Sequence, residues 1–129
     1  MKGIDFYKYN KIFGLSVGIF SFIIYSLTVE PTASYWDCAE YISTSAKLQI
    51  GHPPGAPLFQ MLGAIFSIFA LESNQIAYAV NMMSVFSSSL TIMFLFWSIS
   101  LIGKEILSTK KMLNKNDSVK IFGASFLGS

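Results

Sequence analysis

The sequence predicts an all-α membrane protein, with polytopic membrane helices and an extracytoplasmic loop that carries two short amphipathic or interfacial helices. Three observations predict it: two long stretches free of charge, lysines gathered beyond their outer ends, and acids gathered between them. Of the 129 residues, 53% are hydrophobic and 12% charged, where an ordinary soluble domain carries about 25% charged residues. The mean hydropathy is +0.54. A soluble domain of this length covers most of its outside with polar groups, and 16% aromatic residues, 12 of them Phe, exceed what so small a core can bury. A soluble globular enzyme and a disordered tail are both excluded.

The elements follow in order. Residues 12–29 hold no charge and follow Lys2, Lys8 and Lys11; eighteen apolar residues are about what a ~30 Å hydrocarbon layer requires, so this is the first span. The run stops at Val29-Glu30-Pro31 with no small-residue cleavage site, which makes it an uncleaved anchor rather than a signal peptide. From about Tyr35 to Ile50 the chain reads as a helix. At about 100° per residue, Asp37, Glu40, Thr44 and Lys47 share one face, and Tyr35, Cys38, Ala39, Ile42, Ala46 and Ile50 share the other.

Gly51-His52-Pro53-Pro54-Gly55 must end that helix, because Gly51 suits a left-handed cap and two prolines cannot continue it. Ala56 to Leu71, with Gln60, Gly63 and Ser67 inside it, is too short to span and reads as an interfacial helix. Residues 76–103 form the second span, long enough to cross with tilt. A basic loop over 104–120 follows, and the chain turns apolar again over 121–129. These residues are expected to open a third span, so the chain reads as the N-terminal fragment of a longer multi-span protein.

Charge sets the orientation. Residues 1–11 carry +2, residues 30–75 carry −3 and residues 104–120 carry +3. Short Lys-rich segments stay cytoplasmic, so the N-terminus and 104–120 face inward and 30–75 faces out across a cytoplasmic (inner) membrane. Were 56–71 a third crossing, 104–120 would land outside against that rule. The nine lysines form no stripe with interleaved aromatics, so nucleic acid is dropped as a partner. One Cys, Cys38, makes no internal disulfide; one His makes no His-rich metal centre; no cofactor is expected, and metal dependence stays open. The Asn116-Asp117-Ser118 acceptor triplet falls in the cytoplasmic loop and is counted as chance.

Chemistry concentrates in the outer loop. Asp37 and Glu40, three residues apart on one helix face, can take a proton from an incoming hydroxyl, one as base and the other tuning or holding. A structural reading stands beside it: Ser34-x-x-Asp37 matches a helix capping pattern, and a first-turn acid suits the helix dipole. His52 at a stiff turn suits binding a phosphate or orienting a carboxylate, with Lys47 adding positive charge; alternatively it is a solvated loop histidine. Asn81 and Ser84, Ser87, Ser88 and Ser89 read as helix packing through small and polar residues.

Glu30-Pro31-Thr32, Trp36-Asp37-Cys38-Ala39-Glu40, and the run from Leu48 through His52-Pro53-Pro54-Gly55 to Gln60 together resemble the start of a bacterial membrane-protein family of unknown function. That family is related to the protein O-mannosyltransferases and, through them, to the GT-C glycosyltransferases. The resemblance covers nearly the whole chain. It implies a GT-C-like N-terminal part whose donor is a polyprenyl-phosphate sugar. By the same resemblance Asp37 is the base for the acceptor and Glu40 its companion, with His52, Pro53 and Pro54 near the donor phosphate. Trp36, in the same motif, is expected to join Lys47 in substrate binding. Many relatives carry adjacent Asp-Glu where this chain spaces them by three.

The function expected is therefore that of an N-terminal fragment of an inverting membrane glycosyltransferase. It would pass a sugar from a polyprenyl-phosphate donor to a protein or lipid acceptor hydroxyl, with membrane lipid around it and no activity as a fragment alone. The alternative is a small non-enzymatic membrane subunit or transporter fragment, in which Asp37 and Glu40 are caps or an ion relay. A transporter places its key ionisable residues at mid-membrane, and neither span holds one. Cysteine reporters at positions 74 and 112 are expected to label from opposite sides, outside and inside respectively; same-side labelling would make 56–71 a crossing.

Overall fold

The computed structural model describes residues 5–110 and 115–129, apart from the side chains of residues 109, 110 and 115. Lys2 and Lys111, both counted in the charge argument, lie outside the described residues. The elements are α1 (Phe6–Thr28), α2 (Cys38–Ala46), α3 (Pro57–Ser67), a single 3₁₀ turn (Ser73–Gln75), α4 (Ile76–Lys110) and α5 (Lys115–Gly128), with no strand among the described residues. Two helical stretches, α1 and the run Ser73–Ser108 that takes in most of α4, are long and apolar enough to cross a membrane. The chain packs as two units, residues 1–23 with 88–129, and residues 24–87.

In the first unit α1 begins six residues before the uncharged run that announced it, because a charge on a helix surface does not stop a helix. Asp5 starts it, its carboxylate accepting the Lys8 N–H at 3.3 Å. Gly14 and Gly18 bring this part of α1 close to α4: a Cβ on Gly14 would fall within 1.9 Å of the Trp97 ring nitrogen, and one on Gly18 3.1 Å from Met93 Cβ. Trp97 Nε1 donates to the Asn10 carbonyl at 3.1 Å, and Ser100 Oγ to Asn10 Oδ1 at 2.6 Å. Asn10 and Ser100 are buried, so each polar group meets a partner where water is scarce.

Phe6, Phe96, Ile121 and Phe122 form the core of this unit, with the Phe6 and Phe122 rings stacked at 5.1 Å. Ile19 and Phe20 are left largely exposed, as a lipid-facing surface requires. The loop expected over 104–120 is mostly helix. Residues 104–110 continue α4, and α5 starts at Lys115, ahead of the apolar run. The lysines mark where apolarity ends; with no proline over 104–110 and helix-favouring Lys, Glu and Leu there, α4 carries on to Lys110.

In the second unit α2 and α3 pack against each other. The Tyr41 and Phe59 rings meet edge to face at 5.3 Å. Gly63 admits Ser45: a Cβ at position 63 would lie 2.7 Å from Ser45 Oγ and 2.8 Å from its Cβ. Where the chain enters this unit, Glu30 Oε1 accepts the Thr32 hydroxyl at 2.6 Å, and Asn81 Nδ2 on α4 donates to the carbonyls of Glu30 and Thr32 at 2.8 and 3.0 Å. Asn81, read from sequence as packing, ties down the Glu30-Pro31-Thr32 corner.

The helix expected over 35–50 is shorter at both ends. Trp36 takes a left-handed backbone with φ 69°, so α2 cannot begin before Asp37, and Leu48 at φ 49° stops it. The left-handed residue is thus Leu48, and Gly51, expected in that role, has no positive φ. Tyr35 and Ile50, assigned to the apolar face, are both 95% exposed and lie outside the helix. Thr44, assigned to the polar face, is buried.

The contact between Gly63 and Ser45 gives the first structural test. Gly63→Ala is expected to lower stability by about 1–3 kcal/mol, the usual cost of overpacking. Adding Ser45→Gly should recover most of the loss, since it removes the two atoms the new methyl meets. Thermal unfolding of the detergent-solubilised protein checks both variants, and independent effects would show that α2 and α3 do not meet here.

Candidate functional site

The site is built on the start of α2 and the turn after it. Asp37 occupies the N-cap position, yet its side chain makes no capping hydrogen bond. The Ser34-x-x-Asp37 box does not form, because the left-handed Trp36 delays the helix to Cys38 and leaves Ser34 outside it. Asp37 is exposed, and its carboxylate is not committed to holding the helix.

Glu40, in the first turn of α2, is committed. Its Oε1 accepts the backbone N–H of His52 at 2.7 Å, and its Oε2 pairs with His52 Nδ1 at 2.7 Å. One carboxylate therefore fixes both the backbone and the ring of a residue twelve positions away. Gly51 makes the approach possible: a Cβ there would sit 3.2 Å from Glu40 Oε1 and 3.0 Å from Gln60 Nε2. Asp37, Glu40 and His52 each offer an oxygen or nitrogen within 4.8 Å of the others. Two carboxylates and an imidazole suit a divalent cation, although Glu40 and His52 already spend their facing atoms on each other.

The electrostatics follow from this geometry. The His52 backbone N–H, then the hydrogen bond and charge of its ring, hold the Glu40 carboxyl below its ordinary value. The hydrogen bond to Glu40 and its negative charge raise the His52 imidazole, and the charge of Asp37 adds to the rise. The pair is therefore fully charged between the lowered Glu40 value and the raised His52 value. It loses the imidazolium as pH climbs through the latter and the carboxylate as pH falls through the former.

Of the residues singled out from sequence, the structure brings Asp37, Glu40 and His52 together and leaves others apart. Lys47 is exposed at the C-cap of α2, and among the described residues its side chain enters no ion pair, so its expected partnership with His52 is not formed here. Trp36 is 93% exposed, and Pro53 and Pro54 form the exposed wall of the turn.

Sequence reasoning missed Gln60. It is buried on α3, and its Nε2 donates to Thr44 Oγ1 at 3.3 Å, while that hydroxyl donates to the Glu40 carbonyl at 2.8 Å. The lone buried amide on an otherwise apolar helix was the available signal. The opposite side of α2 borders a cavity of ≈ 360 Å³ lined by Cys38, Tyr41, Ile42, Phe59, Asn81 and Ser84 among others.

Diethylpyrocarbonate reacts with neutral imidazole, so its rate at His52, read by mass spectrometry of the peptide, follows the ring's protonation. The rate should rise with pH only above the ordinary imidazole range. Glu40→Gln should move the profile to lower pH, and Asp37→Asn should move it the same way by less. Superimposable profiles for wild type and Glu40→Gln would rule out the pair.

Comparison with known proteins gives the chain its relatives. A family model described as "Protein O-mannosyl-transferase TMEM260 N-terminal domain" matches residues 37–129, a range that takes in Asp37, Glu40 and His52. A protein O-mannosyl-transferase tmem260 of Dictyostelium discoideum is 36% identical over 80 residues, which is 61% of this chain and 10% of that protein. A protein O-mannosyl-transferase TMEM260 of Mus musculus is 28% identical over 86 residues, 65% of this chain and 12% of that protein. The chain thus spans about a tenth of the length of these curated relatives. No solved structure matches. Both relatives come from outside bacteria, so the match carries the O-mannosyltransferase side of the resemblance and not its bacterial side. With two helices of spanning length and this match over most of its residues, the chain is a membrane protein that belongs to the family of the protein O-mannosyl-transferase TMEM260 N-terminal domain.

Proposed function

We propose that the chain supplies the acceptor-side part of an inverting membrane glycosyltransferase, one that moves a sugar from a polyprenyl-phosphate donor to a hydroxyl of a protein or lipid acceptor. The observation that carries the reading is Asp37: a carboxylate at the head of α2, free of any capping bond, beside an ion pair whose other members are spoken for. In this reading α1 and α4 cross the cytoplasmic membrane, and α3 lies along its outer surface. Leu58, Met61 and Ile65 on α3 are more than half exposed, which suits contact with lipid.

The chemistry runs as follows. Asp37 takes the proton of the acceptor hydroxyl as that oxygen attacks the anomeric carbon from the face opposite the leaving group. The new carbon–oxygen bond forms while the bond from carbon to phosphate oxygen breaks, and polyprenyl phosphate departs with the electron pair. Glu40 holds His52 Nδ1, which leaves Nε2–H of the imidazolium to meet the phosphate oxygens, where a cation offsets the developing charge. Lys47 and Trp36 lie outside the ion-paired cluster and serve, in this reading, at the edges of the bound substrates. The scheme calls on no cofactor.

Asp37→Asn is the discriminating variant, because Asn caps helices about as well as Asp and cannot accept the proton. In the full-length protein it is expected to cut sugar transfer by at least about a hundredfold, within the usual range for general-base catalysis, with insertion and donor binding kept. His52→Ala should weaken use of the lipid donor more than use of the acceptor. Transfer within a few-fold of wild type for Asp37→Asn would return Asp37 to a structural role.

A further inference from the structure

We propose that Gln60 and Gly51 are positioning residues, through which helix α3 sets how the Glu40 carboxylate holds His52. The inference rests on the reading of His52 given above only for its catalytic consequence; the placement itself stands on geometry. Gln60 is buried at the α2–α3 contact, with its amide nitrogen on Thr44 Oγ1 at 3.3 Å. The Thr44 hydroxyl in turn donates to the carbonyl of Glu40, so the amide braces the turn of α2 from which the Glu40 side chain leaves. The same amide nitrogen lies over Gly51, 3.0 Å from where a Cβ would stand, and Glu40 Oε1 lies 3.2 Å from that point on the next edge. Gln60 and Glu40 thus both crowd the open face of Gly51, and the N–H that Glu40 Oε1 receives belongs to the residue following Gly51. Gly51 has no positive φ, so its lack of a side chain serves this close approach and not a backbone conformation.

Packing, not charge, must carry the effect. Helix α3 contains no ionisable residue, and the charged groups that face His52 are Glu40 and Asp37, both from the start of α2. An amide on Thr44 therefore changes the state of His52 only by moving Glu40. A side chain of similar size without the amide, or one extra methyl at position 51, loosens the same carboxylate from two directions.

The test reads His52 directly in the full-length protein, by the pH profile of its diethylpyrocarbonate modification followed on the His52 peptide. Gln60→Met and Gly51→Ala are each expected to shift the profile toward that of Glu40→Gln and to raise the modification rate at neutral pH at least about twofold, as a modest fall in imidazole basicity does. Made on top of Glu40→Gln, neither should add anything, because the carboxylate through which they act is gone. A merely structural weakening would raise the rate in both backgrounds, and that result overturns the proposal, as do unshifted profiles for both single variants. Should Gln60→Met fail to fold, Gly51→Ala alone decides, since it removes no hydrogen bond. Shifted profiles with unchanged sugar transfer would uphold the positioning role and defeat the proposed role of His52 at the donor phosphate.

Discussion

The double hold of Glu40 on His52 is the interaction on which the rest of the segment between α1 and α4 depends. Two oxygens of one carboxylate take a backbone N–H and a ring nitrogen, each at 2.7 Å, across twelve residues of chain. Such a contact works only if α2 starts where Glu40 falls in its first turn, if the turn after it carries no side chain at position 51, and if α3 backs that turn. All three conditions are met by residues with no charge of their own: Trp36 by its left-handed backbone, Gly51 by its missing Cβ, and Gln60 by its buried amide.

That hold also separates two carboxylates that the sequence presents as equals. Asp37 and Glu40 lie three residues apart, near enough for either to serve as base or as partner. Glu40 is saturated by His52, which stabilises its charged form and leaves it little reason to take up a proton. Among the described residues Asp37 has neither a capping bond nor an ion-pair partner of its own, so of the two it is the one left open to an incoming group. The same separation gives His52 a fixed tautomer when neutral, with Nδ1 toward Glu40 and Nε2 turned to other groups.

Tight helix contacts recur in both units by the same device. Gly14 and Gly18 admit Trp97 and Met93 in one unit, and Gly63 admits Ser45 in the other. Where long helices are apolar on nearly every side, as α1 and most of α4 are, burial of apolar area distinguishes one pairing from another poorly, since lipid offers the same environment. Steric fit at small residues and a few internal hydrogen bonds, such as Ser100 and Trp97 on Asn10, do that selecting.

The sequence by itself determined that the chain is helical, which two stretches are long and apolar enough to cross a membrane, and that Asp37, Glu40 and His52 lie in the segment between them. These follow from quantities that add up along the chain: apolar length, the sign of local charge, and residues that cannot continue a helix. Only the tertiary structure decided which acid is engaged and which is open, that Lys47 enters no ion pair among the described residues, that Gln60 reaches the Glu40 carbonyl through Thr44, and that α4 runs past its apolar stretch. Those outcomes turn on single backbone angles at Trp36 and Leu48 and on contacts between residues nine to sixteen positions apart. No periodicity or composition encodes such distances, because they exist only once α2, the turn and α3 have closed on one another.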